Sequence, residues 1–223
     1  MSTMQSVAYD HIKRKIACCE YAPNQMLSES QLQEELNCSR TPIREAITRL
    51  AQEGLLKVLS KRGIMVSGFS LNDINMIFEV RTLIEPYSLR NYGAKLDIDS
   101  LAQYAHTFRY HIPDIPDLNS YDVDNAFHSF LISPLTNTYL LEMYQRIQTQ
   151  NTRLRVLTGR SVTGRQYNAA NEHLQIIEAC MMQDWEAAAQ ATIKHLKASR
   201  ESALSIILQG SLDNKAMDIL SLQ

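Results

Sequence analysis

The 223-residue chain is short of several things, and each shortage closes off a class of protein. Its four cysteines, Cys18, Cys19, Cys38 and Cys180, form no CxxC pair and no repeated spacing, so neither a disulfide framework nor a cysteine zinc site is indicated. They read as small buried hydrophobes. No apolar run approaches the roughly 18 residues of a membrane span, and the N-terminal MSTMQSVAYDHIKRKI lacks the basic, apolar, small-residue order of a signal peptide. The expectation is a cytoplasmic protein without a membrane partner. Seven glycines and six prolines are too few for a loop-rich or disordered chain, and 45% hydrophobic with 21% charged residues describes a helix-rich globular one. A strong charge of either sign is also missing: the total is −2, with residues 1–70 at +2 and the remainder at −4. A nucleic-acid partner must therefore be argued from where the N-terminal cations sit.

What is present is helical periodicity, in a chain long enough for two modest domains. Val7, Ile12 and Ile16 form one apolar stripe that closes before Pro23. Ser28 followed by Gln31 is a capping-box pattern opening a short helix through Leu32 and Leu36, and Asn37-Cys38-Ser39 has turn chemistry. Thr41 as N-cap and Pro42 in the first turn open a third helix, whose stripe Ile43, Ala46, Ile47, Leu50 runs to Gly54. LLKVLSKRGIMVSG then places two strand-like runs around Ser60-Lys61-Arg62-Gly63, a β-hairpin pattern. From Leu71 onward no alternating segment demands a strand, and the predicted helices cover 71–93, 98–110, 118–133, 136–158, 165–183, 185–208 and 212–221, with Pro86 kinking or breaking the first. The fold class is mainly α: a winged helix-turn-helix of three helices plus a hairpin over residues 1–70, then an all-α bundle over 71–223.

In a helix-turn-helix the second helix enters the major groove by its N-terminal end. Here that stretch is Ser39-Arg40-Thr41-Pro42-Ile43-Arg44-Glu45. Arg40, Arg44 and Arg49 are forks suited to guanine edges or phosphates, and none falls on the apolar stripe; the Ser39 and Thr41 hydroxyls suit phosphate oxygens. An arginine pair of this spacing also occurs as the solvated face of an ordinary amphipathic helix. SRTPIREAITRLAQEGLLKVLSKRGIMV resembles the signature of the GntR family of regulators, and the match runs back through LSESQLQEEL and YAPNQML, most of residues 6–68. The resemblance implies that Arg40, Thr41 and Arg44 contact the major groove and phosphates, that Arg49 adds a backbone contact, and that Arg62-Gly63 form the wing tip. A wing tip entering the minor groove needs a backbone without a Cβ, which suits Gly63. Asn24 stands where a glycine is common, a replacement Asn allows because it tolerates positive φ. Ser30 stands where some relatives carry a DNA-reading arginine.

In the second half Asp124 and His128 are four apart, one turn on one helix face, a spacing suited to two ligands of one metal. His173 and His195 fall on two later helices, on their packed sides. Spacing alone leaves these histidines equally readable as hydrogen-bonded core residues. DNAFHSFL and NEHLQIIEACMMQDWEAAAQATIKHLKAS are similar to the C-terminal FCD domain of the FadR-type subgroup of GntR regulators. That resemblance implies a divalent ion held by Asp124, His128, His173 and His195; an N3O donor set suits Zn, Ni, Mn or Fe. It also places Arg81, in FEVRTLIEPYSLR, toward a ligand cavity, where a guanidinium would bind a carboxylate. Arg153 and Arg155 are secondary candidates for a second clamp. The alternative for Arg81 is a surface ion pair with Glu79 or Glu85. His11, His106 and His111 read as surface or packing residues.

Together with the family resemblance, which implies repression and a metal-containing effector domain, these patterns lead to the expectation of a homodimeric transcriptional regulator, a repressor, that binds a palindromic double-stranded DNA operator and senses a small carboxylate effector. A metal-dependent hydrolase would also use His and Asp ligands, but no nucleophile or general-base motif accompanies them. A third reading has the C-terminal bundle only dimerise.

Overall fold

Thr3 opens the first helix by accepting the Ser6 N–H on its hydroxyl, and α1 (Met4–Ala17) buries Ala8, Tyr9, Ile12 and Ile16. The computed structural model describes residues 3–60, 63–110, 118–159 and 165–220. Ser28 caps α2 (Glu29–Leu36), the Gln31 N–H donating to its hydroxyl at 3.1 Å as the capping pattern requires. Asn37, in the left-handed region at φ 46°, ends α2 and turns the chain into α3 (Arg40–Gln52). The N-cap of α3 is Ser39 rather than Thr41, so Pro42 is the third helical residue and not the first. Proline is tolerated there because the first four helical N–H groups have no intrahelical partner.

Beyond α3, β2 (Leu56–Leu59) and β3 (Gly63–Val66) pair antiparallel as the expected hairpin, with Val58 opposite Ile64. A third strand, β1 (Met26–Leu27), lies on the other edge of β3, giving the order β1-β3-β2. Two residues carry no readable period, so this strand was not legible in the sequence. The turn before it contains Asn24 at φ 65°, the positive-φ role expected of it. Gly63 has φ 102°, and a Cβ on it would meet the Leu27 carbonyl oxygen at 3.1 Å, so the β-sheet itself requires the glycine. Arg62 and His111 lie outside the described residues. The helices and sheet close over one core that includes Ile12, Ile16, Leu32, Ile43, Leu50, Leu55 and Val66.

Residues 1–70 pack as one compact unit and residues 71–223 as a second. The second contains α4 (Leu71–Tyr92), α5 (Ile98–Tyr110), α6 (Leu118–Ile132), α7 (Thr138–Gly159), α8 (Arg165–Met181) and α9 (Trp185–Leu220). The α4 helix passes through Pro86 without ending. Ile77, Phe78 and Ile84 before the proline and Leu89 after it are all buried, and their packing outweighs the roughly 3 kcal/mol that an interior proline costs. The two helices expected over 185–208 and 212–221 are one, continuous through Gly210, whose penalty of about 1 kcal/mol is too small to break it. A single 3-10 turn, Gly93–Lys95, follows α4, and a Cβ at Gly93 would lie 2.3 Å from Trp185 Cε3, so glycine admits the indole of α9. Leu89, Phe127, Leu131, Ile176, Ile177 and Ala188 form the main core of this unit. Of the cysteines only Cys180 is buried, and burial pushes its thiol up to about 12; Cys18, Cys19 and Cys38 are partly exposed, contrary to the expectation for all four. Cys18 and Cys19 follow the end of α1, and Cys38, in the turn after α2, packs against the edge of the first core while staying partly exposed.

Candidate functional site

Two sets of residues carry chemistry, one in each unit. In the first, α3 presents its basic edge: the side chains of Arg40, Arg44 and Arg49 are 64%, 59% and 58% exposed, as a nucleic-acid contact requires. They are not loose. Arg40 Nε lies 2.9 Å from the Glu29 carboxylate and Arg44 Nε 3.0 Å from it. Arg49 lies over the Tyr9 ring, 3.7 Å from its centroid, with its Nε 3.5 Å from Glu53, so α1 steers this guanidinium. Ser39 and Thr41 flank Arg40 at the exposed start of α3. Glu29 and Tyr9 escaped the sequence reading because each acts from a different helix; only their contacts reveal them.

In the second unit, α6 carries Asp124 and His128, α8 carries His173 and α9 carries His195. The four come together in space. The ring nitrogens of His128, His173 and His195 lie within 4.8 Å of one another, and all three side chains are buried. His173 Nε2 is 3.3 Å from His195 Nε2 and 3.3 Å from Asp124 Oδ1, and His128 Nε2 is 3.9 Å from Asp124 Oδ2.

Around this cluster sits an outer layer of carboxylates. His128 Nδ1 is 2.8 Å from Glu85 and His195 Nδ1 is 2.7 Å from Glu172. Because a carboxylate accepts, each Nδ1 holds the proton and donates it, which leaves the Nε2 lone pairs of both rings facing the cluster. His128 Nε2 has no hydrogen-bond partner although it is buried. Burial lowers the affinity of His128 for a second proton, and burial together with the neighbouring His195 and His128 holds His173 well below the ordinary histidine value. Three buried imidazoles beside one carboxylate, two of them with a lowered affinity for a second proton, fit a divalent cation, as the donor chemistry of a nitrogen-rich site requires.

Arg81 is buried, not on the helix surface: its Nε donates to Glu85 at 2.7 Å and its Nη1 to Asn151 at 3.2 Å. Glu85 also accepts from the Tyr144 hydroxyl at 2.8 Å, and so one carboxylate ties Arg81, Tyr144 and His128 together. Burial, the largest influence, would raise the Glu85 carboxyl, but the Arg81 guanidinium and the His128 ring together outweigh it and hold Glu85 well below the usual carboxylate range. Arg155 pairs with Asp124 and donates to Asn125 at 3.1 Å, while Arg153 is buried and donates to Gln150 at 2.7 Å. The remaining histidines are packing or surface groups where described: His11 pairs with Glu35 and His106 lies against Tyr110. Glu85 and Glu172 were missed as histidine partners, though Glu172 adjoins His173 in sequence; that it orients His195 depends on how α8 meets α9.

The pattern of bacterial regulatory proteins of the gntR family matches residues 4–66, and that of the FCD domain matches residues 76–198. The chain belongs to the GntR family. This regulator is 26% identical over 206 residues to the HTH-type transcriptional repressor RspR of Escherichia coli, covering 91% of this chain and 90% of that one. It is 24% identical over 208 residues to the HTH-type regulator YdhC of Bacillus subtilis, covering 91% and 92%. Its fold is that of a GntR regulator from Rhodococcus, with TM-score 0.77 and 19% identity over 92% of this chain and 99% of that one. The regulator is therefore a DNA-binding transcription factor with a helical ligand-sensing domain, and its family is one of regulators rather than enzymes. Among the described residues no helix is long and apolar enough to cross a membrane.

Proposed function

We propose that this regulator is a homodimeric repressor of the FadR subgroup that holds a divalent metal through Asp124, His128, His173 and His195 and senses a small organic acid there. The observation that carries the metal is the convergence of three buried imidazoles, two of them oriented by carboxylates, on one acidic side chain. When bound, the ion supplies a positive centre that attracts a carboxylate effector. Arg155 stands beside Asp124, where its guanidinium suits the effector's remaining oxygens, and Arg81, joined to His128 through Glu85, and the buried Arg153 are the further candidates for that role. Zn, Ni, Mn and Fe all suit the donor set, and a coordination number above four leaves a position for the acid.

Ser39, Arg40, Thr41, Arg44, Arg49 and the Arg62-Gly63 wing contact the operator, and a two-fold dimer matches a palindromic site. Repression agrees with the name of the relative RspR, a transcriptional repressor. The second unit dimerises through α4, on whose outer face Met76, Leu83 and Tyr87 are exposed. The same helix begins at Leu71, where the chain leaves the DNA-binding unit, and carries Glu85, which orients His128. A change of ligand at the metal thus reaches α4 through a single carboxylate, and operator affinity shifts only as far as the effector favours one arrangement over another.

His173→Ala should strip the metal and abolish the response of DNA binding to added citrate or a similar acid, while basal operator affinity stays near that of the wild type. Metal analysis of both proteins and operator titrations with and without the acid test this. Equal metal content in the two, or none in wild-type protein prepared with the metal in excess, refutes the site.

A further inference from the structure

The geometry points to Glu29 as a positioning residue that sets the DNA specificity of this regulator by holding two recognition-helix arginines in one carboxylate. Glu29 is the first residue of α2, fixed there by the Ser28 cap. Its side chain is 28% exposed, less than half the exposure of either arginine it meets. Arg44 Nε donates to both of its oxygens at 3.0 Å, and Arg40 Nε lies 2.9 Å from Oε2. Arg40 and Arg44 are one helical turn apart on α3, so a single carboxylate on the neighbouring helix reaches both.

The edge of the guanidinium that is used matters. A guanidinium anchored through Nε keeps its terminal Nη pair, the fork that reads guanine O6 and N7 or clasps a phosphate. Glu29 therefore aims two forks without consuming them. A long exposed arginine otherwise samples many rotamers, and binding must freeze them; anchoring lowers that cost for the one orientation that fits base edges. The same carboxylate cancels one of the two positive charges, which weakens attraction to phosphates of any sequence. Both effects act in one direction: the operator gains relative to random DNA. As a stabilising contact the pair of partly exposed bridges is worth little, so its consequence lies in recognition.

The test compares wild type, Glu29→Gln and Glu29→Asp on two probes: a duplex selected by the wild type from a random pool, and a scrambled duplex of equal length. Glu29→Gln removes the anchoring charge. It should bind the scrambled duplex several-fold more tightly, with a salt slope steeper by about one ion, and the ratio of selected to scrambled affinity should fall about tenfold. Glu29→Asp keeps the charge but is one methylene shorter and cannot span both arginines. Its scrambled affinity and salt slope should match the wild type while the ratio still falls. In an Arg44→Ala background, Glu29→Gln should lose most of its effect on the ratio. Unchanged helical circular dichroism verifies the fold of each variant. An equal gain on both duplexes, leaving the ratio intact, would show that Glu29 acts only as a bulk charge and overturns the proposal, as would a Glu29→Asp variant that discriminates like the wild type.

Discussion

Replacing Arg81 by Met keeps the shape of the side chain and removes its charge from a fully buried pair. Arg81 and Glu85 are 1% and 0% exposed, and Nε to Oε1 is 2.7 Å. With charge centres about 4 Å apart and an effective permittivity near 20, their attraction is about 4 kcal/mol. Arg81→Met leaves Glu85 with only the Tyr144 hydroxyl and the neutral His128 ring as partners, so the loss should be about 3 to 5 kcal/mol. Adding Glu85→Gln to that variant removes the stranded charge while the amide oxygen can still accept from His128 Nδ1 and the amide N–H can donate to the Tyr144 hydroxyl oxygen. The double variant should thus recover about 2 kcal/mol and be more stable than Arg81→Met alone. Because the folded Glu85 pKa is depressed below its ordinary 4.5, the pair's contribution is present above that value and fades as pH falls below it. The single tryptophan of the chain, Trp185, lies in α9, so its fluorescence during urea denaturation of the metal-free protein follows the second unit alone. A double variant no more stable than Arg81→Met would show that the Arg81–Glu85 charge pairing is not what matters there.

Gly93→Ala sets a methyl 2.3 Å from the Trp185 ring and should cost about 1 to 3 kcal/mol, with a shifted Trp emission that reports the displaced indole. Glu35 accepts from Lys15, Tyr21 and His11, which overcome its burial and lower it from 4.5 to about 2; its stabilisation is present above pH 4.5 and is lost as pH falls toward 2. Glu35→Gln should therefore weaken the first unit at neutral pH and narrow its difference from the wild type in acid, as read by pH-dependent denaturation. Leu83→Glu, on the exposed stripe of α4, should make the full-length chain monomeric at micromolar concentration in sedimentation, whereas an unchanged dimer would place the interface elsewhere.

Local chemistry was enough to define what is local in this protein. The Ser28 cap, the Asn24 turn, the stripe Ile43, Ala46, Ile47 and Leu50, and the hairpin whose second strand starts at Gly63 follow from side-chain preference and period, because each depends on residues within a turn or two. Asp124 and His128 share a face for the same reason. The sequence by itself also determined, through long matching segments, that the chain is a GntR regulator with an FCD domain. Tertiary structure decided everything that joins distant segments. The strand β1 exists because β3 offers it an edge, and α4 survives Pro86 because buried neighbours hold both halves. Arg81 pairs with Glu85 on its own helix, but only the packing of α6 and α7 against α4 buries that pair and adds His128 and Tyr144 to it. Glu172 reaches His195 and Glu29 reaches Arg40 and Arg44 because helices remote in sequence meet at angles that no period encodes. Periodicity specifies which face of a helix is buried; which partner that face meets is settled only when the cores close.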